Sequence, residues 1–449
     1  MGGKHYLPLT DEDRRVMLDT IGVESVEDLF NDIPAEVRLR RDLDLPPALA
    51  ESEALAHLND LASKNKNYCS CVSFMGAGVY DHFIPSVIRH VTGRSEFYTS
   101  YTPYQAEISQ GILQAIFEYQ TMICQLTGMD VANASMYDGG TAVAEGAIMG
   151  CGATRRSKVL VSRSVSPFYR DVLRNYFNSR GLVLEEIPLK DGCTDRENLD
   201  KMLDDNVATV VLQQPNFFGM VENMSGIADM VHGHKAALLI SVDPLSLPLL
   251  QSPAEYGADI VVGEGQALGV PASFGGPLLG IMAARDRFVR QMPGRIAGET
   301  SDSEGNRGYV LTLQTREQHI RREKAASNIC SNEALVALAA SVYLAALGPK
   351  GMREVAEQCL QKAAYAREKI TALDNYKLAF PGINFKEFAV IVPGDPADLN
   401  RKLLEKNILG GVSITPFYPE MKNTMLFAVT EKRSREEIDI LVRELEGWS

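Results

Sequence analysis

Apolar positions along the chain keep two rhythms. In one, the hydrophobic residues run without a break: KVLVS from Lys158, GLVLEEIPL from Gly181, ATVVLQQ from Ala208, AALLISVD from Ala236, ADIVVG from Ala258 and PLLGIMAA from Pro277. In the other they recur with helical spacing, as in QAEISQGILQAIFEYQTMICQLTG and TAVAEGAIMGCG, with the run VANASMY and a turn at Asp138-Gly139-Gly140 between them. Strands that are apolar throughout and separated by helices predict a parallel or mostly parallel sheet covered on both faces. Ligands in such sheets sit at the carboxyl ends of the strands.

The flanking regions read differently. Residues 1–60 carry short amphipathic segments, DEDRRVMLDTIG and VESVEDLFNDIP, then a charged stretch closing in Pro46-Pro47. An arm of this kind usually packs on another surface. A long helical region is expected from about Ser327 to Leu373, followed by a smaller α/β unit: KEFAVIV, the helix DPADLNRKLLEKNI, TMLFAVTE and a last helix RSREEIDILVRELEGW. The expected organisation is an arm (1–60), a large α/β domain (61–325) and a small C-terminal α/β domain (326–449).

Bulk properties narrow the function classes. A chain of 449 residues with net charge −13 lacks the basic excess that a nucleic-acid surface needs. The run ALVALAASVYLAAL from Ala334 is shorter than the roughly 20 residues that span a bilayer. It reads as a buried helix, so no membrane partner is expected. MGGKHYLPLTDEDRR has no apolar signal-peptide core, and seven cysteines suit reduced thiols, so a cytoplasmic setting is expected. Cys69-x-Cys71 has no second pair nearby, and His232 and His234 stand without further ligands, so no metal is expected.

Four places could carry chemistry. Asp243 ends the strand AALLISVD, and the next strand opens into the loop of VVGEGQALGVPASFGGP, which holds Gln266. An acid at one strand end, then a strand and a reactive residue in a Gly-rich loop, is similar to the layout of pyridoxal phosphate enzymes of the aspartate aminotransferase fold. There the acid keeps the ring nitrogen protonated and a lysine forms the imine. Gln266 cannot form one, because its nitrogen lone pair is delocalised. The plain alternative for Asp243 is an acid capping the next turn. Asp138-Gly139-Gly140 before a helix is a candidate phosphate seat, with a simple N-cap as its alternative. Tyr98, Tyr101 and Tyr104, with Gln105, surround Pro103 and can offer hydroxyls to a ligand or a partner. In TREQHIRREKAASN, a helix would put Arg316, His319, Ile320 and Glu323 on one face. That cluster, with Arg321 and Arg322, suggests an internal or inter-subunit ion-pair network.

YTPYQAEISQG, ASMYDGGTA, MPGRIAG and QTREQHIRREKAASNIC resemble the P-protein family of the glycine cleavage system over essentially the whole chain. Some members of that family are one long chain with two similar halves, and others are two subunits. The length here matches one half, and Gln266 falls where the half with pyridoxal phosphate has its lysine. The chain therefore resembles the lysine-free α subunit. The resemblance implies a fold type I large domain and a vestigial cofactor pocket of Asp138, Gly139, Gly140, Asp243 and Gln266, empty or blocked. It also implies pyridoxal phosphate on a homologous lysine-bearing partner, glycine as substrate, and the lipoyl arm of H-protein as acceptor. No catalytic residue of the chain's own is expected beyond a contribution from Tyr98, Tyr101, Tyr104 and Gln105 across the interface. The alternatives are a non-catalytic scaffold in the same complex, or an enzyme using a distant lysine such as Lys324.

Overall fold

The computed structural model describes residues 8–329 and 331–448. The chain forms two compact units, Met1–Asn65 and Lys66–Ser449. In the first, helix α1 (Asp11–Ile21) starts on a capping box. Thr10 Oγ1 accepts from the Asp13 N–H at 3.1 Å, and the Asp13 carboxylate accepts from the Thr10 N–H at 2.8 Å. The second expected amphipathic piece is only a 3₁₀ turn, Val26–Phe30, and helix α2 spans Glu51–Ser63. None of these three elements contains a buried residue.

The second unit is built on a seven-stranded sheet: β1 (Val131–Ala132), β2 (Lys158–Ser162), β3 (Val183–Ile187), β4 (Val207–Gln214), β5 (Ala237–Val242), β6 (Ile260–Glu264) and β7 (Gly280–Ala284). Their order is β3-β2-β4-β5-β6-β7-β1. Strands β3 through β6 pair in parallel, and β7 is antiparallel to both its neighbours. The unbroken apolar runs are explained by burial on both faces. Leu238 and Ile240 of β5 enter one core with Tyr119 and Ile123 of helix α3 (Gln110–Thr127). Leu239, Ile260 and Val262 enter another, beneath helices α4 (Gly139–Thr154) and α5 (Pro167–Arg180). Helix α4 can approach this closely because it carries glycine where it meets the strands. A Cβ at Gly150 would lie 2.1 Å from Thr209 Oγ1, and one at Gly146 would lie 2.7 Å from Leu239.

The run VANASMY forms a shorter strand than its pattern predicts. Only Val131–Ala132 joins the ladder, with an isolated bridge at Met136. The segment between is drawn toward the loop near residue 294: Asn133 Nδ2 donates to Pro293 O at 3.0 Å, and the Ala134 N–H donates to Arg295 O at 2.8 Å.

Helix α6 (Ala334–Thr371) bends at Gly348, whose φ is 60°, immediately before Pro349. Among the described residues it is the one helix long and apolar enough to cross a membrane. Its buried residues belong instead to cores: Ala337, Ala340 and Tyr343 to the main one, Ala363, Ala366 and Ile370 to that of a C-terminal sheet. This second sheet is antiparallel, in the order β8 (Lys377–Leu378), β9 (Glu387–Ile391), β11 (Thr424–Ala428), β10 (Val412–Ser413). Helices α7 (Pro396–Glu405) and α8 (Arg435–Glu446) cover it, with Leu399, Leu403, Ile438 and Leu441 packed against Phe388 and Phe427.

Residues 314–324 correct an expectation. They are not one helix but a 3₁₀ turn (Gln314–Arg316), a short helix (Gln318–Arg321) and a second 3₁₀ turn (Arg322–Lys324). Leu313 at φ 54° and Arg322 at φ 53° break the run on either side, so the proposed common face of Arg316, His319, Ile320 and Glu323 does not form.

Candidate functional site

The carboxyl ends of β5 and β6 point at the start of β9, and a cavity of about 40 Å³ lies where they meet. Asp243, Glu264, Lys386, Glu387, Tyr80, Tyr169 and Ser166 are among its walls.

Asp243 caps its own turn, Oδ1 accepting from the Leu245 N–H at 3.0 Å. Its other oxygen, Oδ2, is 2.7 Å from Lys386 Nζ. That lysine, whose side chain is 2% exposed, stands just before β9. Its ammonium is also 3.5 Å from the centre of the Tyr80 ring and 3.1 Å from His82 Nε2. An ammonium only donates, so His82 Nε2 accepts and Nδ1 carries the hydrogen toward Glu431 Oε2, at 2.7 Å. Burial and then the adjacent lysine hold the His82 pKa below the ordinary imidazole value, despite Glu431. Burial opposes ionisation of Glu431, but the His82 contact and the Phe83 N–H outweigh it and hold the carboxyl at about 2. The buried Cys359 thiol also donates to Glu431 Oε2, at 3.3 Å. His82, Cys359 and Glu431 thus bring metal-ligand types within 4.8 Å of one another, but each is already bonded to its neighbours.

Helix α4 begins with Asp138 as its N-cap, Oδ1 accepting from the Thr141 N–H at 2.7 Å. The Gly139 N–H at this end donates to Glu264 Oε2 at 2.9 Å. Glu264 Oε1 accepts from the N–H groups of Gln266 (2.9 Å) and Leu279 (3.0 Å). Burial pushes the Glu264 carboxyl up to about 7 against the pull of these donors. Glu387 is also pushed to about 7 by burial, with Ala77 N–H at 2.6 Å and Tyr80 O–H at 2.7 Å as its donors.

Gln266 is buried and fully bonded. Its Oε1 accepts from the Tyr80 N–H at 2.9 Å, and its Nε2 donates to Tyr80 O at 3.0 Å and to Val270 O at 2.7 Å. The residues present do not fit pyridoxal phosphate in this arrangement. The acid that would face a ring nitrogen faces Lys386, the helix N-terminus that would face a phosphate faces Glu264, and Gln266 has no imine chemistry. The remaining space has room for only a few waters, at roughly 10–15 Å³ each.

The tyrosine segment forms a separate group. Tyr98 and Tyr101 are 69% and 82% exposed, and Gln105 is exposed. Tyr104 is anchored: its hydroxyl accepts from Arg295 Nη2 at 2.7 Å, the guanidinium lies over its ring, and the His319 ring meets it edge-on at 5.9 Å. Arg295 is buried and 3.8 Å from Glu317. Arg316 donates to the carbonyls of Leu313 and Gly294, and Arg321 to that of Thr315, while Arg322 is exposed. Lys324 is exposed too. Tyr104 and His319 are therefore brought together, through Arg295, a residue not singled out from the sequence although it lies in MPGRIAG.

A sheet of this order, with an acid at the end of β5 and a Gly-rich loop after β6, defines the class: fold type I of the pyridoxal phosphate-dependent enzymes. Two solved structures share the fold at low identity. They are a Burkholderia pseudomallei sphingosine-1-phosphate lyase (TM-score 0.66, 13% identity, 91% of this chain and 92% of that one) and a Nostoc alanine–glyoxylate aminotransferase (TM-score 0.59, 16%, 90% and 97%).

The model of the glycine cleavage system P-protein family matches residues 4–445, and the chain belongs to that family. A crystal structure of glycine decarboxylase (P-protein) in inhibitor-bound form superposes with TM-score 0.90 at 45% identity, over 98% of this chain and 99% of that one. Proteins named probable glycine dehydrogenase (decarboxylating) subunit 1 are similar end to end. That of Moorella thermoacetica is 56% identical and that of Desulforamulus reducens 54%, each over 98% of this chain and 99% of the relative.

Proposed function

We propose that this chain is the cofactor-free subunit of a two-subunit glycine decarboxylase, acting with a homologous partner that carries the reactive lysine and the pyridoxal phosphate. The observation that carries this reading is the filling of the cofactor seat from within, by Glu264, Gln266 and Lys386. The name "subunit 1" on the full-length relatives supports a second subunit. In this reading glycine loses carbon dioxide at the partner's site, and its aminomethyl group passes to the lipoyl arm of H-protein. This chain closes that site.

The segment from Tyr98 to Gln105 is the piece we assign to the closure. Two of its rings are exposed and the third is tied to a buried arginine, so it presents hydroxyls from a fixed base. A hydroxyl near the glycine carboxylate orients substrate without acting as a nucleophile. The test mixes the two subunits and measures glycine–carbon dioxide exchange with H-protein, using Phe in place of Tyr98, Tyr101 or Tyr104. At least one variant is expected to lose roughly tenfold in rate, about 1.4 kcal/mol of transition-state stabilisation, with assembly unchanged. Full activity in all three would favour the scaffold reading.

A further inference from the structure

We propose that the filled pocket is a lock: the pair Asp243–Lys386, with the loop 76–83 threaded between the two sheets, holds the C-terminal sheet permanently closed on the central one. The inference rests on this chain's own contacts and stands whether or not the partner reading does.

Asp243 follows β5 of the central sheet and Lys386 precedes β9 of the C-terminal sheet, so their 2.7 Å ion pair ties one sheet to the other. The loop between them is bonded on both sides. On the central-sheet side, Gln266 takes both the N–H and the carbonyl of Tyr80. On the C-terminal side, Glu387 takes the Ala77 N–H and the Tyr80 hydroxyl, while Glu431 takes the Phe83 N–H and the His82 ring. Asp81 adds a buried pair with Arg433 at 2.9 Å, and its carbonyl accepts from the Thr430 hydroxyl at 2.8 Å.

A second seam closes the same boundary from below. The Phe385 N–H donates to Gly219 O at 3.0 Å and the Val221 N–H to Ile383 O at 2.9 Å. Gly219, at φ +77°, lets the Glu387 backbone approach: a Cβ there would lie 2.0 Å from Glu387 O. A pocket that admits and releases a ligand needs walls that part. These walls share an ion pair whose lysine is buried and whose aspartate is mostly so, and parting them would leave both charges unpaired. The unit Lys66–Ser449 is accordingly a one-state body with a fixed surface.

The experiment is native-state hydrogen exchange of the full chain, read as peptides covering residues 76–83 and, as an internal reference, β4. Lys386→Met leaves Asp243 unpaired and is expected to speed exchange in 76–83 by roughly 100-fold or more, with β4 much less affected. Asp243→Asn keeps the shape and weakens the pair, so it gives the same pattern in smaller degree and serves if the methionine variant fails to fold. In the double variant the two effects should fall well short of multiplying, because the interaction is lost only once. Exchange in 76–83 within about twofold of the parent in a folded single variant would overturn the lock. So would equal acceleration in 76–83 and β4, which marks global destabilisation.

Discussion

Glu264 Oε2 accepts the Gly139 N–H at 2.9 Å, so an internal carboxylate occupies the position at the start of helix α4 that suits an anion. The accepting oxygen comes from the chain itself. This explains how a turn that reads as a phosphate seat can be stable without phosphate: the orphan N–H donor is satisfied from within.

The same acid gives a pH prediction. Glu264 and Glu387 are each raised by burial from 4.5 to about 7 in the folded chain. A carboxyl raised on folding contributes stability that is fully present below about 4.5 and is lost as pH rises through 7. Each contributes up to about 3 kcal/mol on that basis. Glu431, lowered to about 2, acts in the opposite sense and only at more acidic pH. His82, held below its ordinary value of about 6.5, opposes this as pH falls beneath that value, but two raised acids outweigh one imidazole, so the melting temperature should fall between pH 5 and pH 7.5. Glu264→Gln and Glu387→Gln should each lower it at pH 5 and flatten the slope. Parent-like slopes in both variants would show that these acids titrate normally.

Pyridoxal phosphate trapping tests the filled seat directly. After borohydride reduction and peptide mapping, neither Lys386 nor Lys324 should be stoichiometrically modified, the first because its ammonium is held by Asp243 and His82. Gln266→Lys should not create a site either. A lysine there cannot accept the Tyr80 N–H that Gln266 now accepts, so the variant loses stability without gaining an imine. A pyridoxyl-lysine at 386 in the parent, or at 266 in the variant, would refute the argument.

Among Arg295, Arg321 and Arg322, the cost of removal should follow burial. Arg295→Met should lower the unfolding free energy by about 3 kcal/mol, since Arg295 is buried between Tyr104 and Glu317. Arg321→Ala and Arg322→Ala should stay within about 0.5 kcal/mol of the parent. Urea denaturation ranks the three, and a large loss at Arg322 alongside none at Arg295 would reverse the account.

Much of the architecture was legible because burial on two faces writes an unbroken apolar run. The strands at 158, 183, 207, 237, 260 and 280 begin within a few residues of where those runs begin, and Asp243 lies at a strand end as its position implied. Gln266 was visible as a residue of the wrong chemistry for an imine. Its partners were not, because hydrogen bonds between Gln266 and Tyr80 leave no trace in local periodicity. Lys386 was hidden for the same reason. In KEFAVIV it looks like the polar edge of a strand, and only the folding of one sheet onto the other carries its ammonium to Asp243. The broken helix at 314–324 was misread because nothing in its composition marks Leu313 or Arg322 for a left-handed backbone.

The bend at Gly348 has a practical consequence for anyone dividing this protein. Helix α6 gives Ala340 and Tyr343 to the interior shared with Tyr119, and Ala366 and Ile370 to the interior shared with Phe388. A fragment cut ahead of Ala334 would leave Tyr119 and Ile123 without a facing helix. One begun after Gly348 would strip the interior around Tyr119 just as badly. Splitting the gene product into separately expressed halves should therefore yield aggregating pieces, whereas a nick confined to the exposed loop 302–306 should leave a protein that still holds together.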